Sequence, residues 1–549
     1  MASTPRLWEG PIRFALVTVS TVLLAGCGVL DFQAPGFTRT PTIRLNPNRT
    51  TPLVAVVDLA TDEPTEVVLH VQSGGQDRDI EFSDMDTSHS LTVLGLGPEA
   101  EHTVHVTVSD GNGNETRWPD PLVVVTEPLP DDFPPIQLTT GDASMMEPGV
   151  TVFSVNRTGS DEVYSLLMAV DEVGDVVWFY RTDHSIADVR RIRNGHLLYE
   201  SGVGADADFI EIDMAGNVVQ KWHGSTRVDP DSASIPIDVA RPHHEIFEMP
   251  TGNLLTLGAE LRSVRSYPSS ESDPDASLVT ANVVDEVVAE FTREGAVVHR
   301  WSLLDILDPF RLGYGSLSEG RNSLFPDETV TRDWAHANAV IYDPSDDGYI
   351  VSLRHQDALV KIGRETGELI WILGNLEGWR GDWSGSLLLP DPFNMPWPYH
   401  THAPALTPSG NLLVFDNGNF RVRPFRSKTP VGQSYSRVVE YAVDQEAKKV
   451  SEAWVYGGPG DESFYSPLVG DADWMTETGN ILVTDGGRVT DSDGRPTNDL
   501  QTGLRWARIV EVTHATPPVK VFELIIRDES SPETGWIVYR AERLTGLYP

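Results

Sequence analysis

The sequence predicts an all-β protein, a six-bladed β-propeller preceded by a small N-terminal β-sandwich domain. Three observations point there. Two interleaved strand markers each recur six times in the last three-quarters of the 549 residues; short alternating apolar runs with turn clusters come before them; and no stretch carries a long amphipathic helix. A chain of this length exceeds one ordinary hydrophobic core, which suits a large repeat architecture with an accessory domain.

The N-terminus reads as an export signal. Arg6 and Arg13 precede the apolar run 14–25, which is too short to span a membrane comfortably and ends in small residues. Leu24-Ala25-Gly26-Cys27 resembles the bacterial lipobox, so residues 1–26 are expected to be a lipoprotein signal peptide, with Cys27 lipidated and 27–40 a tether. Gly28 stands where an aspartate would have suggested inner-membrane retention, so the expectation is an exported, lipid-anchored protein of the periplasm or outer membrane of a bacterium. Cys27 is the sole cysteine, so the chain can form neither an internal disulfide nor a cysteine metal cluster.

Residues 41–127 alternate apolar and polar positions in runs such as Glu66-Val67-Val68-Leu69-His70-Val71 and His102-Thr103-Val104-His105-Val106, separated by turn clusters including Asp110-Gly111-Asn112-Gly113. This is β-sandwich patterning, and Leu94-Gly95-Leu96-Gly97-Pro98 resembles fibronectin type III usage. The proline-rich stretch 128–136 reads as a stiff linker.

Residues 137–549 carry the repeats. One marker is a turn followed by an apolar strand that ends in an aromatic: Trp178, Trp222, Trp301, Trp371, Trp454 and Phe522 close the six copies. The other is a strand opened by a glycine turn, at Gly195, Gly252, Gly348, Gly410, Gly479 and, in degenerate form, Gly535. Two strand markers present six times each are what six sheets around a channel produce. The widest spacing, between Gly252 and Gly348, implies inserted loops, and the Trp- and Pro-rich segment 379–399 is expected to loop over the channel mouth.

Aligning the repeats on their glycines exposes candidate site residues. His244 lies eight residues before Gly252 and His402 eight before Gly410; Asn338 is six before Pro344, as both histidines are before Pro250 and Pro408; Asp471 stands eight before Gly479. Polar side chains thus recur where an innermost strand begins, which would converge them on the axis. His336 and His400 lie two residues earlier, on the same face if strand alternation holds, and Arg354-His355 ends the next strand of one repeat. Imidazoles grouped with a guanidinium suit an oxyanion. No metal-ligand motif is present, so no metal is assigned.

The balance of 81 acidic against 41 basic residues, a formal charge of −40, argues against nucleic acid or an anionic membrane surface as partner. An anionic substrate would need a local cationic site.

At these residues the sequence resembles the bacterial arylsulfate sulfotransferases. The similarity is carried by Asp333-Trp334-Ala335-His336-Ala337-Asn338, Ser352-Leu353-Arg354-His355, His402-Ala403-Pro404 leading to Phe415-Asp416-Asn417-Gly418, and the ending Val538-Tyr539-Arg540-Ala541-Glu542. The resemblance implies a propeller that moves a sulfuryl group from an aryl sulfate donor to a phenol acceptor by a ping-pong route through a sulfohistidine, without phosphoadenosine phosphosulfate and without a cofactor. It implies His402 as nucleophile, with His400 the close competitor. His244 would serve as proton donor and base, and His336, Asn338 and Arg354 would hold the sulfuryl oxygens. His243, His355, Trp397 and Tyr399 are further candidates for substrate contact. Two other readings stay open on the residues alone: a quinone-dependent dehydrogenase propeller and a non-catalytic binding propeller. The oligomeric state is also open, a homodimer included.

Overall fold

The computed structural model describes residues 33–549, apart from 74–75, 160–163, 203–205, 319, 322, 327, 329, 461–462, 501 and 530–533. The expected signal peptide and the lipid-bearing Cys27 lie outside the described residues.

The N-terminal domain is one six-stranded antiparallel sheet folded over its own core. Its long strand Ala55–Ser73 pairs through its first half with Phe37–Leu45 and through its second half with Glu101–Ser109. The register with Gln76–Val93 breaks between Ala60 and Val67, around Pro64, which cannot donate a ladder hydrogen bond. The bend lets alternating Val57, Leu59, Val67, Leu69, Val104 and Val106 face one another as a buried cluster.

Six further sheets of four or five strands follow. We number them blades 1 to 6; blades 2 to 6 open, at the axis, with Ile186–Arg191, Pro242–Glu248, Ala337–Asp343, His402–Leu406 and Asp471–Trp474. Blade 1 takes its innermost strand from the far end of the chain: Gly535–Ile537 and Ala541–Leu544 both pair with Val150–Thr158. Conversely, Ile136–Gly141 adds an outermost strand to blade 6, pairing with Lys520–Ile526. Both ends of the repeat region are therefore locked into sheets completed by the other end. The degenerate glycine marker is corrected by this topology: Gly535 opens an innermost strand, whereas the equivalent second strand of blade 1 opens after Gly149, whose φ is 116°.

The aromatic marker has a physical cause. Each of its residues sits on the fourth strand of its blade, and four indoles donate Nε1–H to a carbonyl in a turn of a following blade: Trp178 to Met214 (2.8 Å), Trp222 to Arg293 (2.8 Å), Trp301 to Arg364 (3.0 Å) and Trp454 to Ala515 (2.9 Å). The turn must be flat for this. Gly367, at φ 65°, lies against the Trp301 ring, where a β-carbon would come within 2.4 Å of the indole.

The linker is pinned to the propeller: Asp132 pairs with Arg181 at 2.7 Å, and Phe133 meets Phe179 edge to face. The C-terminus docks the other way, with Tyr548 accepting from the Leu94 amide (2.8 Å) and donating to the Thr92 carbonyl (3.0 Å). The segment 379–399 departs from expectation. Its Leu389–Pro390 pairs in parallel with the outermost strand of blade 5, so this part lies at the rim rather than over the channel.

Candidate active site

The innermost strands of blades 3, 4 and 5 are irregular at the same place. Register shifts fall between His243 and Ile246, between Ala337 and Ala339, and between His402 and Ala405. Left-handed backbone accompanies them at His244 (φ 64°), His336 (φ 48°), His400 (φ 55°) and Ala403 (φ 43°). Bulges of this kind re-aim side chains, and non-glycine residues in this region carry strain that the surrounding fold must hold. Alternation is accordingly not what brings His336 and His400 to the axis: both precede their strands and are turned in by a left-handed residue conformation.

The structure groups the predicted imidazoles. Ring centroids lie 5.0 Å apart for His243 and His244, 5.4 Å for His244 and His336, 4.7 Å for His336 and His355, and 5.8 Å for His355 and His400. Arg354 Nη1 is 2.6 Å from His355 Nε2, and the charge of Arg354 also acts on His402. Burial sorts their roles. His244 and His336 are partly exposed, while His243, His355, Asn338 and His400 are at most 2% exposed.

Each imidazole has an orienting partner. Glu286 Oε2 lies 3.0 Å from His243 Nε2, and His243 Nδ1 is 2.8 Å from His244 Nδ1. Asp333 Oδ2 lies 2.5 Å from His336 Nδ1, and its carbonyl accepts from His355 Nδ1 at 2.7 Å. Asp357 Oδ1 lies 2.9 Å from His400 Nδ1. His402 Nδ1 meets an amide, Asn417 Oδ1, at 2.7 Å. Arg321 bridges Asp333 (3.2 Å) and Glu286 (3.1 Å), tying blades 3 and 4 together beneath the site.

Burial, with Arg354 adding to it, pushes the His402 imidazole down to about 3. Burial, then Arg321 and the neighbouring imidazoles, hold His244 well below its ordinary value. His400 is also lowered by burial, although the Asp357 carboxylate opposes the shift. Burial therefore keeps these three rings neutral at physiological pH, with a lone pair on each.

Several expectations change. His243 and His355 each contact a neighbour, His243 meeting His244 and His355 meeting Arg354. Trp397 packs on the apolar cluster between blades 4 and 5, and the Tyr399 hydroxyl accepts from Asn375 at 3.3 Å, so neither stands among the imidazoles. Asn338 donates Nδ2–H to the Thr401 carbonyl at 2.7 Å, which leaves its buried Oδ1 as an acceptor without a partner among the described residues; His400 Nε2 is buried and unpartnered in the same sense. Asp471 reaches the axis but pairs with Arg540 (3.2 Å), away from the histidines.

Sequence reasoning missed the orienting residues. Asn417 and Asp333 lie inside the motifs quoted above, and polar residues flanking a histidine-bearing strand were the available signal. Arg321 and Gly315, which packs against the His355 ring, come from the wide insertion before Gly348, where no repeat alignment reaches.

Asp333, His336 and His355 present ligand atoms within 4.8 Å of one another, the spacing of a metal site. Their present bonding suits a hydrogen-bond network better. His355 donates through Nδ1 and so accepts from Arg354 at Nε2, and a metal there would have to displace the guanidinium and face its charge.

On the opposite side of the axis stands a carboxylate half. Arg540 Nη1 lies 3.1 Å from Asp188 and 3.2 Å from Glu245, and Arg190 pairs with Glu245 at 2.8 Å. Burial next to Asp188 raises Glu200 to about 8, and burial raises Glu542 to about 7. Tyr539 stands between the halves, its hydroxyl 3.3 Å from the Asn338 carbonyl and its ring 6.4 Å from His244.

Residues 136–540 match the family model described as arylsulfotransferase (ASST), and residues 42–127 match the arylsulfotransferase Ig-like domain. The chain is 28% identical over 358 residues to arylsulfate sulfotransferase AssT of Escherichia coli O6:H1 strain CFT073, covering 58% of this chain and 54% of that protein. It is 28% identical over 286 residues to AssT of Lelliottia amnigena, covering 45% of this chain and 46% of that one. The chain thus spans about half the length of the curated relatives it matches. A solved β-propeller domain, Cps50 (Swd1) of Myceliophthora thermophila, overlaps at a TM-score of only 0.29 with 13% identity, over 72% of this chain and all of that one, so the fold assignment rests on the sheet order itself. With most of its length matched by the family model, the chain belongs to the arylsulfotransferase family.

Proposed function

We propose that this protein moves a sulfuryl group from a phenolic sulfate ester to a phenolic acceptor by a ping-pong mechanism through a sulfohistidine, with no nucleotide donor. The observation that carries this reading is His402: a buried, neutral imidazole with Nδ1 occupied by Asn417 and under the influence of the Arg354 charge. In the first step His402 attacks sulfur, the S–O bond to the aryl group breaks, and the aryloxide leaves with its electron pair. Arg354 and His336 stabilise the sulfuryl oxygens as charge spreads over them. His400, paired with the Asp357 carboxylate, is the weaker candidate for nucleophile because its Nε2 is enclosed.

His244 moves the proton. Burial holds it neutral, and an incoming sulfate ester, being anionic, favours its protonated form, so proton and substrate enter together. Asn338 spends one Nδ2 hydrogen on the Thr401 carbonyl and has a second to offer a sulfuryl oxygen, beside Arg354 and His336. We further propose that the protein is exported and lipid-anchored through Cys27, on the basis of the lipobox alone.

The test uses 4-nitrophenyl sulfate with and without phenol. Nitrophenolate release should depend on phenol, the donor alone should leave one sulfuryl adduct on His402, and His402→Ala should lower turnover by at least about 10³-fold. Phenol-independent release would mean a sulfatase, and an adduct on His400 or none at all would overturn the assignment.

A further inference from the structure

The axis holds four oriented imidazole systems, and three of them end on carboxylates: Glu286 behind His243 and His244, Asp333 behind His336, and Asp357 behind His400. His402 alone among these ends on a carboxamide. The amide cannot turn over. Asn417 Nδ2 spends its two hydrogens on the carbonyls of Ser466 (2.8 Å) and Val469 (2.7 Å), and its backbone carbonyl accepts from Ser436 Oγ (2.7 Å). Asn417 is fully buried, as are Ser436 and Ser466. A flipped amide would set its oxygen against two carbonyl oxygens, so Oδ1 must be the atom that faces His402.

We propose that Asn417 is the positioning residue of the sulfuryl-transfer reaction, fixing His402 as the Nδ1–H tautomer so that Nε2 is the reacting atom and the sulfohistidine keeps its Nδ1 proton. This rests on the function proposed above. Oδ1 can only accept, so Nδ1 must carry hydrogen and the lone pair lies on Nε2. When the Nε2–S bond forms, the S–O bond to the aryl group breaks and the departing aryloxide takes the proton from His244, the ring becomes an N-sulfonated imidazolium whose positive charge balances the negative sulfuryl group, and His244 is left neutral for the second step. A carboxylate partner would draw the Nδ1 proton and leave a stable, neutral ring bearing the sulfuryl group. An amide is far too weak a base to do so. In the second step the phenol oxygen attacks sulfur, the phenol proton passes to His244, and the leaving group is a neutral imidazole, a far better one than imidazolate.

The primary experiment reads the tautomer in the wild-type protein without turnover: ¹⁵N NMR of histidine-labelled protein, with the His402 signals assigned by their loss in His402→Gln. Hydrogen should reside on Nδ1, with no sign of protonation down to about pH 5. A proton on Nε2, or a charged ring at neutral pH, overturns the inference. In Asn417→Asp the donor-only adduct should live about tenfold longer or more, and the rate of the first step should acquire an acid limb near neutral pH that the wild type lacks. Because that variant also sets a carboxylate against two carbonyls, its folding is checked by circular dichroism; if it does not fold, the wild-type NMR result stands as the decision. The two readings separate cleanly. An Nδ1–H tautomer with no His402 adduct refutes the sulfuryl-transfer function, whereas an adduct on Nδ1 sinks the positioning role and leaves that function standing.

Discussion

The two halves of the propeller axis use one structural position for opposite purposes. At the start of their inner strands, blades 3, 4 and 5 carry His244, Asn338 and His402, while blades 2 and 6 carry Asp188 and Asp471. On the histidine side His244, His400 and His402 are held neutral, and His400 Nε2 and Asn338 Oδ1 are buried without a partner among the described residues, so binding capacity is left over for a ligand. On the carboxylate side Asp188, Glu245 and Asp471 pair with Arg190 and Arg540, so much of their charge is offset within the chain. A buried polar group is thus functional or structural according to whether its partner is already in the chain.

Four measurements would break or sharpen this contrast. The largest effect is expected on the histidine side: Arg354→Ala should lower kcat for 4-nitrophenyl sulfate by about 10²–10³-fold while urea unfolding changes little. On the carboxylate side the order reverses. Arg540→Ala should cost about 3 kcal/mol of stability in urea unfolding, because Asp188, Glu245 and Asp471 lose a buried cation. Should the loss appear in kcat with stability intact, the two halves are not separate in function.

Glu200 gives a pH-dependent test. Its carboxyl is raised to about 8, so the folded protein favours the protonated form; that contribution is full below the unfolded value near 4.5 and is lost as pH rises towards 8. Glu200→Gln should remove the loss, gaining about 3.5 kcal/mol on the wild type between pH 5 and pH 8 in paired melts. The smallest effect belongs to the blade latch: Trp301→Phe keeps the packing, gives up the hydrogen bond to the Arg364 carbonyl, and should cost about 1 kcal/mol without changing kcat.

Much of this was legible in the sequence. The aromatic and glycine markers are periodic because each blade repeats one strand geometry, and four of the six aromatics donate to a turn of a following blade. The glycine alignment found His244 and His402 because the stretch from an inner strand to its turn has the same length in both copies; in the longer copy between them the proline spacing, six residues to Pro344, found Asn338. The glycine alignment failed at Gly535, since the innermost strand of blade 1 comes from the opposite end of the repeat region. Trp397 packs on the cluster between blades 4 and 5 for another reason: aromatic richness does not say whether a side chain faces a channel or fills a core.

The sequence by itself determined the periodic part of this protein: the count of blades, the position at which polar groups reach the axis, and the motif residues of the family. It could do so because strand alternation and turn chemistry act over a few residues. Asp333 stands only three residues from His336, but the tertiary structure decided the other partners, since Glu286, Asp357 and Asn417 reach their histidines from distant parts of the chain. Proton affinity and tautomer are set by burial and by the atom within hydrogen-bonding distance. Neither quantity exists until the blades close around the axis.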